Sequence, residues 1–332
     1  MEQDKKGLIS VVTPCYNAAG YLHRLMDSIL GQTYPNVEMI AVDDGSTDET
    51  LQILEDYIPK FEKKGYTLTI MHQSNQGQSS AICAALPRVK GEFLIWPDSD
   101  DFYRREDAFE LFVNRFRSLP DEYGVVRCMP VYRDEDSEEE RSYDRSHVAM
   151  GPYLFYNCLY CDRFVWGAGN YMVRMQAFDK VNKDRSIYVE KNAGQNWQML
   201  LPLLYSYKCE TIKEECLCVL ERKNSHSRGQ YQGFEQLALR ADSYCNTIVH
   251  TLDSMSLMSE EEKRILLEGI TKKYLYEKFR LAIGCQEKKH ICRLLRLCVS
   301  HKIKVGKKDL IKAFLVCFGM YDVALCLRRC FQ

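Results

Sequence analysis

The chain has 332 residues, 46% of them hydrophobic, and a formal charge of -1. That length carries a full core and points to one large domain with an appendage, while the balanced charge excludes the basic field of a nucleic-acid binder. Met1-Glu2-Gln3-Asp4-Lys5-Lys6 lacks the apolar core of a signal peptide, and no run of about 18 uncharged apolar residues is present to span a membrane.

Residues 8–12 read as a short buried strand, stopped by Thr13-Pro14. Tyr21, Leu22, Leu25, Met26, Ile29 and Leu30 then recur at helical spacing, with Gly31 placed as a C-cap. A second strand over 37–42 is broken by Asp43-Asp44-Gly45. Ser46 and Glu49 have capping-box spacing, which predicts a helix to about Ile58. A third strand (67–71), a polar loop (73–78), a helix (79–89) and a fourth strand (92–96) follow. The fourth runs into Trp96-Pro97-Asp98-Ser99-Asp100-Asp101. A helix over 106–117 and a strand over 125–131 complete the series. Alternation of this kind implies an α/β fold, a mostly parallel sheet between helices. From Phe234 on the pattern is helical, so residues 1–234 are read as the main domain and 235–332 as a helical appendage.

Right-handed crossovers put the ends of parallel strands on one edge, where such sheets bind ligands. Asp43-Asp44 and Asp98-Ser99-Asp100-Asp101 therefore fall on one edge by topology. Carboxylates there suit a divalent cation, Mg²⁺ or Mn²⁺, completed by the phosphate oxygens of a nucleotide. No P-loop or glycine triplet follows the first strand, which argues against P-loop NTPases and dinucleotide dehydrogenases.

From Lys263 to the end, 17 Lys or Arg stand against 5 Asp or Glu, a basic tail suited to an anionic surface. The fifteen cysteines are expected as buried hydrophobes of a reducing compartment, placing the protein in the cytoplasm. Cys158 and Cys161, with Cys209, Cys216 and Cys218, have ligand-like spacing but no glycine-rich knuckle, and packing is preferred to zinc. The acidic run from Asp134 to Glu140 reads as a solvated loop.

Val11-Val12-Thr13-Pro14-Cys15-Tyr16-Asn17, Gln32-Thr33-Tyr34, Val42-Asp43-Asp44-Gly45-Ser46-Thr47-Asp48, Asn75-Gln76-Gly77 and Asp98-Ser99-Asp100-Asp101 resemble the successive blocks of family-2 glycosyltransferases. The resemblance covers roughly the first 105 residues. It implies the GT-A fold, a nucleotide-diphosphate-sugar donor, a divalent cation and inversion at the anomeric carbon. By position, Thr13, Pro14, Tyr16, Asn17, Asp43, Asp44, Gln76, Gly77, Asp98 and Ser99 would bind the donor, with Asp44 on the base. Asp98 would face the ribose or sugar side and Asp100 and Asp101 would serve the metal, while the residues taken by themselves offer Asp98, Asp100 and Asp101 together as ligands. Relatives of this kind build cell-surface or capsular polysaccharide, often on lipid-linked acceptors, so the basic tail is expected to rest on the inner face of a membrane.

Inversion needs a general base on the acceptor hydroxyl. Where the family carries an acidic pair, this chain has Gln195-Asn196, and amides take no proton at neutral pH. Glu190 is the nearest carboxylate and the candidate base, with Gln195 and Asn196 orienting substrate. Trp197, Met199, Leu200, Leu203 and Leu204 follow at core spacing. Arg222, His226 and Arg228 form a basic loop placed to close over the diphosphate. Two rivals stay open: a nucleotidyltransferase, and a non-catalytic nucleotide-sugar-binding module of the same fold.

Overall fold

The computed structural model describes residues 6–223 and 231–321. It divides into two compact units. The first comprises the described residues to Lys223 together with His250–Leu257, and the second the described residues between those segments and beyond Leu257.

The first unit is built on a nine-stranded sheet of order β3-β2-β1-β4-β8-β6-β9-β5, with β7 paired to β6. Its strands are β1 (Ile9–Cys15), β2 (Val37–Asp43), β3 (Thr67–His72), β4 (Phe93–Ile95), β5 (Phe102–Tyr103), β6 (Tyr123–Asp134), β7 (Glu140–Ser142), β8 (Tyr171–Arg174) and β9 (Lys208–Glu221). β1 pairs in parallel with both β2 and β4, β2 with β3, and β6 with β9. β8 lies between β4 and β6 and runs against both. Six strands thus point one way and leave their carboxyl ends on a common edge.

The helices bury the faces their spacing dictates. α1 (Leu22–Leu30) buries Leu22, Leu25, Met26 and Ile29. α2 (Thr50–Lys64) buries Ile53, Leu54, Tyr57 and Phe61. α3 (Gln78–Ala85) buries Ala81 and Ile82, and α4 (Ala108–Ser118) buries Phe109, Phe112, Val113 and Phe116. With Val11, Met39 and Ile95 the buried side chains of α1, α2 and α4 form one apolar cluster. Short α5 (Phe155–Tyr160) and α6 (Met175–Val181) follow. α7 (Asn196–Ser206) is buried on all sides over residues 197–204, the expected Trp197, Met199, Leu200, Leu203 and Leu204 together with Gln198, Leu201 and Pro202.

Two local expectations are corrected: β1 is not stopped by Thr13-Pro14 but runs through them to Cys15, opposite Asp43, and the start of α2 moves. α2 starts at Thr50, not after Ser46, because Asp48 takes the Thr50 N–H at 3.0 Å while the Ser46 hydroxyl takes the Asn17 N–H at 3.0 Å. It also runs past Pro59 to Lys64 and stops at Gly65, whose φ of 83° gives the left-handed cap. Of the cysteines with ligand-like spacing, Cys158, Cys209, Cys216 and Cys218 are buried, and burial pushes the Cys209 thiol up to about 12.

The second unit is helical: the first part of α8 (Gly233–Ser254), then α9 (Glu260–Gly284), α10 (Lys288–Ser300) and α11 (Lys307–Cys317). Phe234, Phe279, Ile283, Ile291, Leu294 and Val316 make its core. No helix of the described residues is long and apolar enough to cross a membrane.

Candidate functional site

Register brings the two acidic clusters to one place. Cys15 stands opposite Asp43, and Val11 opposite Ile95, so the chain leaves β1, β2 and β4 at neighbouring points of the common edge.

Asp44 is buried. Its carboxylate accepts the backbone N–H groups of Gln76 at 2.9 Å and Gly77 at 2.8 Å, and the Gln73 side-chain amide at 2.7 Å. Three donors on one carboxylate fix the 73–77 loop. The next residue, Gln78, reaches Asp98 Oδ1 at 3.5 Å. A single loop therefore joins the acid after β2 to the acids after β4. Asp43 accepts the Ser46 N–H and stands 2.7 Å from His72 Nδ1.

The other donor-side residues cluster at the end of β1. Thr13 is buried, and its hydroxyl has no partner among the described residues. Pro14 lies in β1 opposite Val42, one residue before the strand ends, and Tyr16 presents its ring to solvent at 50% exposure. Asn17, at φ 48°, holds the Thr47 N–H at 2.8 Å, tying the end of β1 to the turn after β2.

The three aspartates after β4 have separate tasks. Asp98 and Asp100 are half-buried. Burial first, and then the Asp100 charge, push the Asp98 carboxyl up to about 7. Asp100 Oδ2 meets the Arg222 guanidinium at 2.5 Å. Asp101 is buried and accepts the Leu220 N–H of β9 at 3.1 Å, and burial with its acidic neighbours raises it well above the carboxylate range. Among the described residues no three His, Cys, Asp or Glu stand together as a metal-holding group. Asp98, Ser99 and Asp100 are each half-buried, whereas Asp101 is buried.

Gln195 is buried at the start of α7 and donates to Asp98 Oδ1 at 3.3 Å, while its own carbonyl oxygen has no partner among the described residues. Asn196 accepts the Trp96 indole N–H at 3.2 Å. The amide pair is thus joined to β4 and its acids. Glu190 is held by its main chain: its N–H bonds the Ser79 hydroxyl at 2.9 Å, and its carbonyl accepts from that hydroxyl at 3.0 Å. Its carboxylate takes the Asn192 N–H at 3.4 Å. Its charge raises Tyr188, after burial, rather than Asp98.

Arg222 packs over the Tyr21 ring at 4.6 Å, and the Tyr21 hydroxyl donates to Glu135 at 2.6 Å. Glu135, from the acidic run read as solvated, thus belongs to the surroundings of the site. Sequence reasoning also missed Gln78, Tyr21 and the Leu220 N–H. His226 and Arg228 lie outside the described residues.

The glycosyl transferase family 2 profile matches residues 10–181. The chain is 27% identical to EpsJ of Bacillus subtilis, an uncharacterized glycosyltransferase, over 53% of this chain and 50% of that one. It is 39% identical to TuaG of the same organism, described as a putative teichuronic acid biosynthesis glycosyltransferase, over 30% of this chain and 39% of that one. An uncharacterized glycosyltransferase of Rickettsia prowazekii is 34% identical over 36% of each chain. The matches thus span about a third to a half of these relatives. Among solved structures, S. aureus TarS 1–349 in complex with UDP-GlcNAc aligns with a TM-score of 0.56 at 18% identity, over 93% of this chain and 90% of that one. The mannosyltransferase PcManGT of Pyrobaculum calidifontis, in complex with GDP-Man and Mn²⁺, aligns at 0.52 and 16%, over 93% and 86%. The fold is GT-A.

Proposed function

Because the chain belongs to glycosyl transferase family 2, we propose that it moves a sugar, with inversion, from a nucleotide-diphosphate-sugar to an acceptor hydroxyl in cell-surface or capsular polysaccharide synthesis. One observation carries the reading: the loop pinned by Asp44 delivers Gln78 to Asp98, so both acidic clusters serve one cleft. The donor class follows the two ligand-bound neighbours, which hold UDP-GlcNAc and GDP-Man. The first unit is the donor-handling domain, and the second is its helical appendage.

Asp44 orders the loop that walls the nucleoside side, and Tyr16 offers an exposed ring against which a base packs. Asp98 and Asp100 fit a divalent cation, Mg²⁺ or Mn²⁺. They are two neighbouring carboxylates, Asp98 being raised by burial first and then by the Asp100 charge, and a hard cation takes one or two such groups and completes its shell with phosphate oxygens and water. When bound, the cation supplies charge stabilisation on the departing diphosphate. Asp101, turned to the Leu220 N–H, holds β9 against the site instead.

Gln195 orients Asp98, and Asn196 fixes α7 to Trp96. Glu190 is the base. It lies beside Ser79, one residue from Gln78, and takes the acceptor proton as the hydroxyl attacks from the face opposite the diphosphate. Arg222 serves the diphosphate.

The protein is cytoplasmic on this reading. The second unit rests on the anionic inner face of a membrane, where a lipid-linked saccharide acceptor would reside. Ile311 and Phe314 of α11 and its C-cap residue Phe318 are 60%, 54% and 66% exposed, and the helix also carries Lys307, Lys308 and Lys312. That is the composition of an interfacial helix. Pelleting with anionic vesicles that survives Phe314→Asp and Phe318→Asp rejects this part.

The test is a panel of nucleotide-sugars with Mn²⁺, read first by thermal stabilisation and then by transfer. A ligand at about 100 times its dissociation constant adds about 2.7 kcal/mol to stability. Stabilisation by none of them ends the proposal. Stabilisation without transfer or donor hydrolysis favours the non-catalytic module, and nucleotidyl rather than glycosyl transfer favours the nucleotidyltransferase.

A further inference from the structure

We propose that Arg222 is an exchangeable counter-ion. It neutralises Asp100 until a divalent cation takes that carboxylate, and its guanidinium then turns to the donor's diphosphate. This rests on the reading of Asp98 and Asp100 as the metal-holding pair.

The placement of Arg222 comes from β9. The Leu220 N–H anchors the end of that strand to Asp101, and two residues later the chain delivers Arg222 to Asp100 at 2.5 Å. The guanidinium is a planar fork built for two parallel hydrogen bonds to a carboxylate or phosphate. Here only one ion-pair contact to Asp100 is made, and the buried Nε finds no acceptor among the described residues. The rest of its hold is Tyr21, whose ring lies beneath the guanidinium and whose hydroxyl accepts a hydrogen bond from it, and Tyr21 is itself fixed by Glu135.

Such an arginine has an aromatic seat, one carboxylate partner and a spare donor. The guanidinium beside Asp100 Oδ2 repels a second cation by its charge and occupies a lone pair of that oxygen, so Arg222 and a metal compete for Asp100. A diphosphate resolves the competition, since it offers the fork several anionic oxygens and the metal further ligands. Arg222 thereby makes each of the two ligands more favourable in the presence of the other, and linkage makes that effect reciprocal.

The experiment measures Mn²⁺ binding by the electron-spin signal of the free ion, with and without UDP or GDP. It compares the full chain with Arg222→Gln and Arg222→Lys, after melting curves establish that each is folded. Arg222→Gln is expected to bind Mn²⁺ alone about tenfold more tightly than the unaltered chain, since the competing charge is gone. The same variant binds UDP or GDP without metal about tenfold more weakly. Arg222→Lys keeps a cation at the site and holds Mn²⁺ close to the unaltered affinity. Equal or weaker Mn²⁺ binding by folded Arg222→Gln overturns the exchange while leaving the metal pair in place. Failure of every form to bind Mn²⁺, even with nucleotide, overturns both the exchange and the metal pair it rests on.

Discussion

The backbone of Gly77 lies against the backbone of Lys191. A Cβ at Gly77 would stand 3.1 Å from the Lys191 carbonyl oxygen and 3.2 Å from its Cα, and Gly77 adopts a φ of 93°. The loop held by Asp44 and the loop carrying Glu190 are therefore in direct main-chain contact, with the paired Ser79–Glu190 hydrogen bonds one step further on. The side of the cleft read as binding the nucleoside and the side read as activating the acceptor share one seam.

Gly77→Ala strains that seam twice, through its φ and through contact with unyielding backbone. The strain should cost about 1–3 kcal/mol and lower the apparent unfolding midpoint by several degrees. Because both loops shift, KM for the donor should rise and kcat should fall together. A variant with the parent midpoint and the parent kinetics would show that the seam gives way freely.

The aspartates after β4 should separate by task. Asp98→Ala and Asp100→Ala are expected to lower kcat/KM by at least about a hundredfold, a loss of about 2.7 kcal/mol in transition-state stabilisation, and removal of divalent cations by EDTA should do the same. Asp101→Asn keeps an acceptor for the Leu220 N–H and should retain most activity. The order is reversed if Asp101→Asn is as inactive as Asp100→Ala and equally well folded.

Glu190→Gln leaves the Ser79 hydrogen bonds intact, since these use main-chain atoms of Glu190. Its melting curve should match the parent. Turnover should fall by about 10²–10⁴-fold, the usual contribution of a positioned carboxylate base, with little change in donor affinity. Turnover within a few-fold of the parent clears Glu190 of the role.

Asp48 gives a pH prediction independent of the cleft. Burial pushes its carboxyl up, but the Thr50 hydroxyl, the Ala19 N–H and the Thr50 N–H outweigh that and hold it below the ordinary aspartate value. A folded-state value below the unfolded one stabilises the protein at pH above the unfolded value near 3.9. The benefit is lost as pH falls through the folded value. Asp48→Asn should therefore be less stable than the parent at neutral pH, by about 0.5 kcal/mol or less, since Asp48 is exposed and solvent screens its charge. The gap should close in acid below pH about 4. A gap that is constant from pH 7 to pH 3 contradicts this.

Much of this molecule could be read from local pattern. Val11, Met26, Leu54 and Phe112 lie in the core because their spacing leaves no other face for them. The two acidic clusters end strands β2 and β4 because each follows an apolar run too short for a helix. What escaped was non-local. β8 has four residues and enters from a glycine-containing turn, Ala168–Asn170, so no alternation marks it. β9 alternates poorly because its pairing with β6 slips in register near Met129 and Glu215. Without β9 there is no reason to place Arg222 on Asp100, 122 positions earlier. Gln195 and Asn196 were noticed for the proton they cannot take. Their bonds to Asp98 and Trp96 depend on a helix start docking against a strand end a hundred residues away.

α8 begins in the helical unit, yet the segment His250–Leu257 belongs with the first unit. The His250 ring stacks on Tyr188 at 4.1 Å, two residues before Glu190, and Met255 and Leu257 line a small cavity with Val181, Pro202 and Tyr205. During synthesis the ribosome has therefore finished the last strand of the sheet well before the final piece of that unit emerges. The loop bearing Glu190 waits for a partner some sixty positions downstream, so a polypeptide halted at the end of β9 would carry every acid of the cleft while lacking the brace behind it.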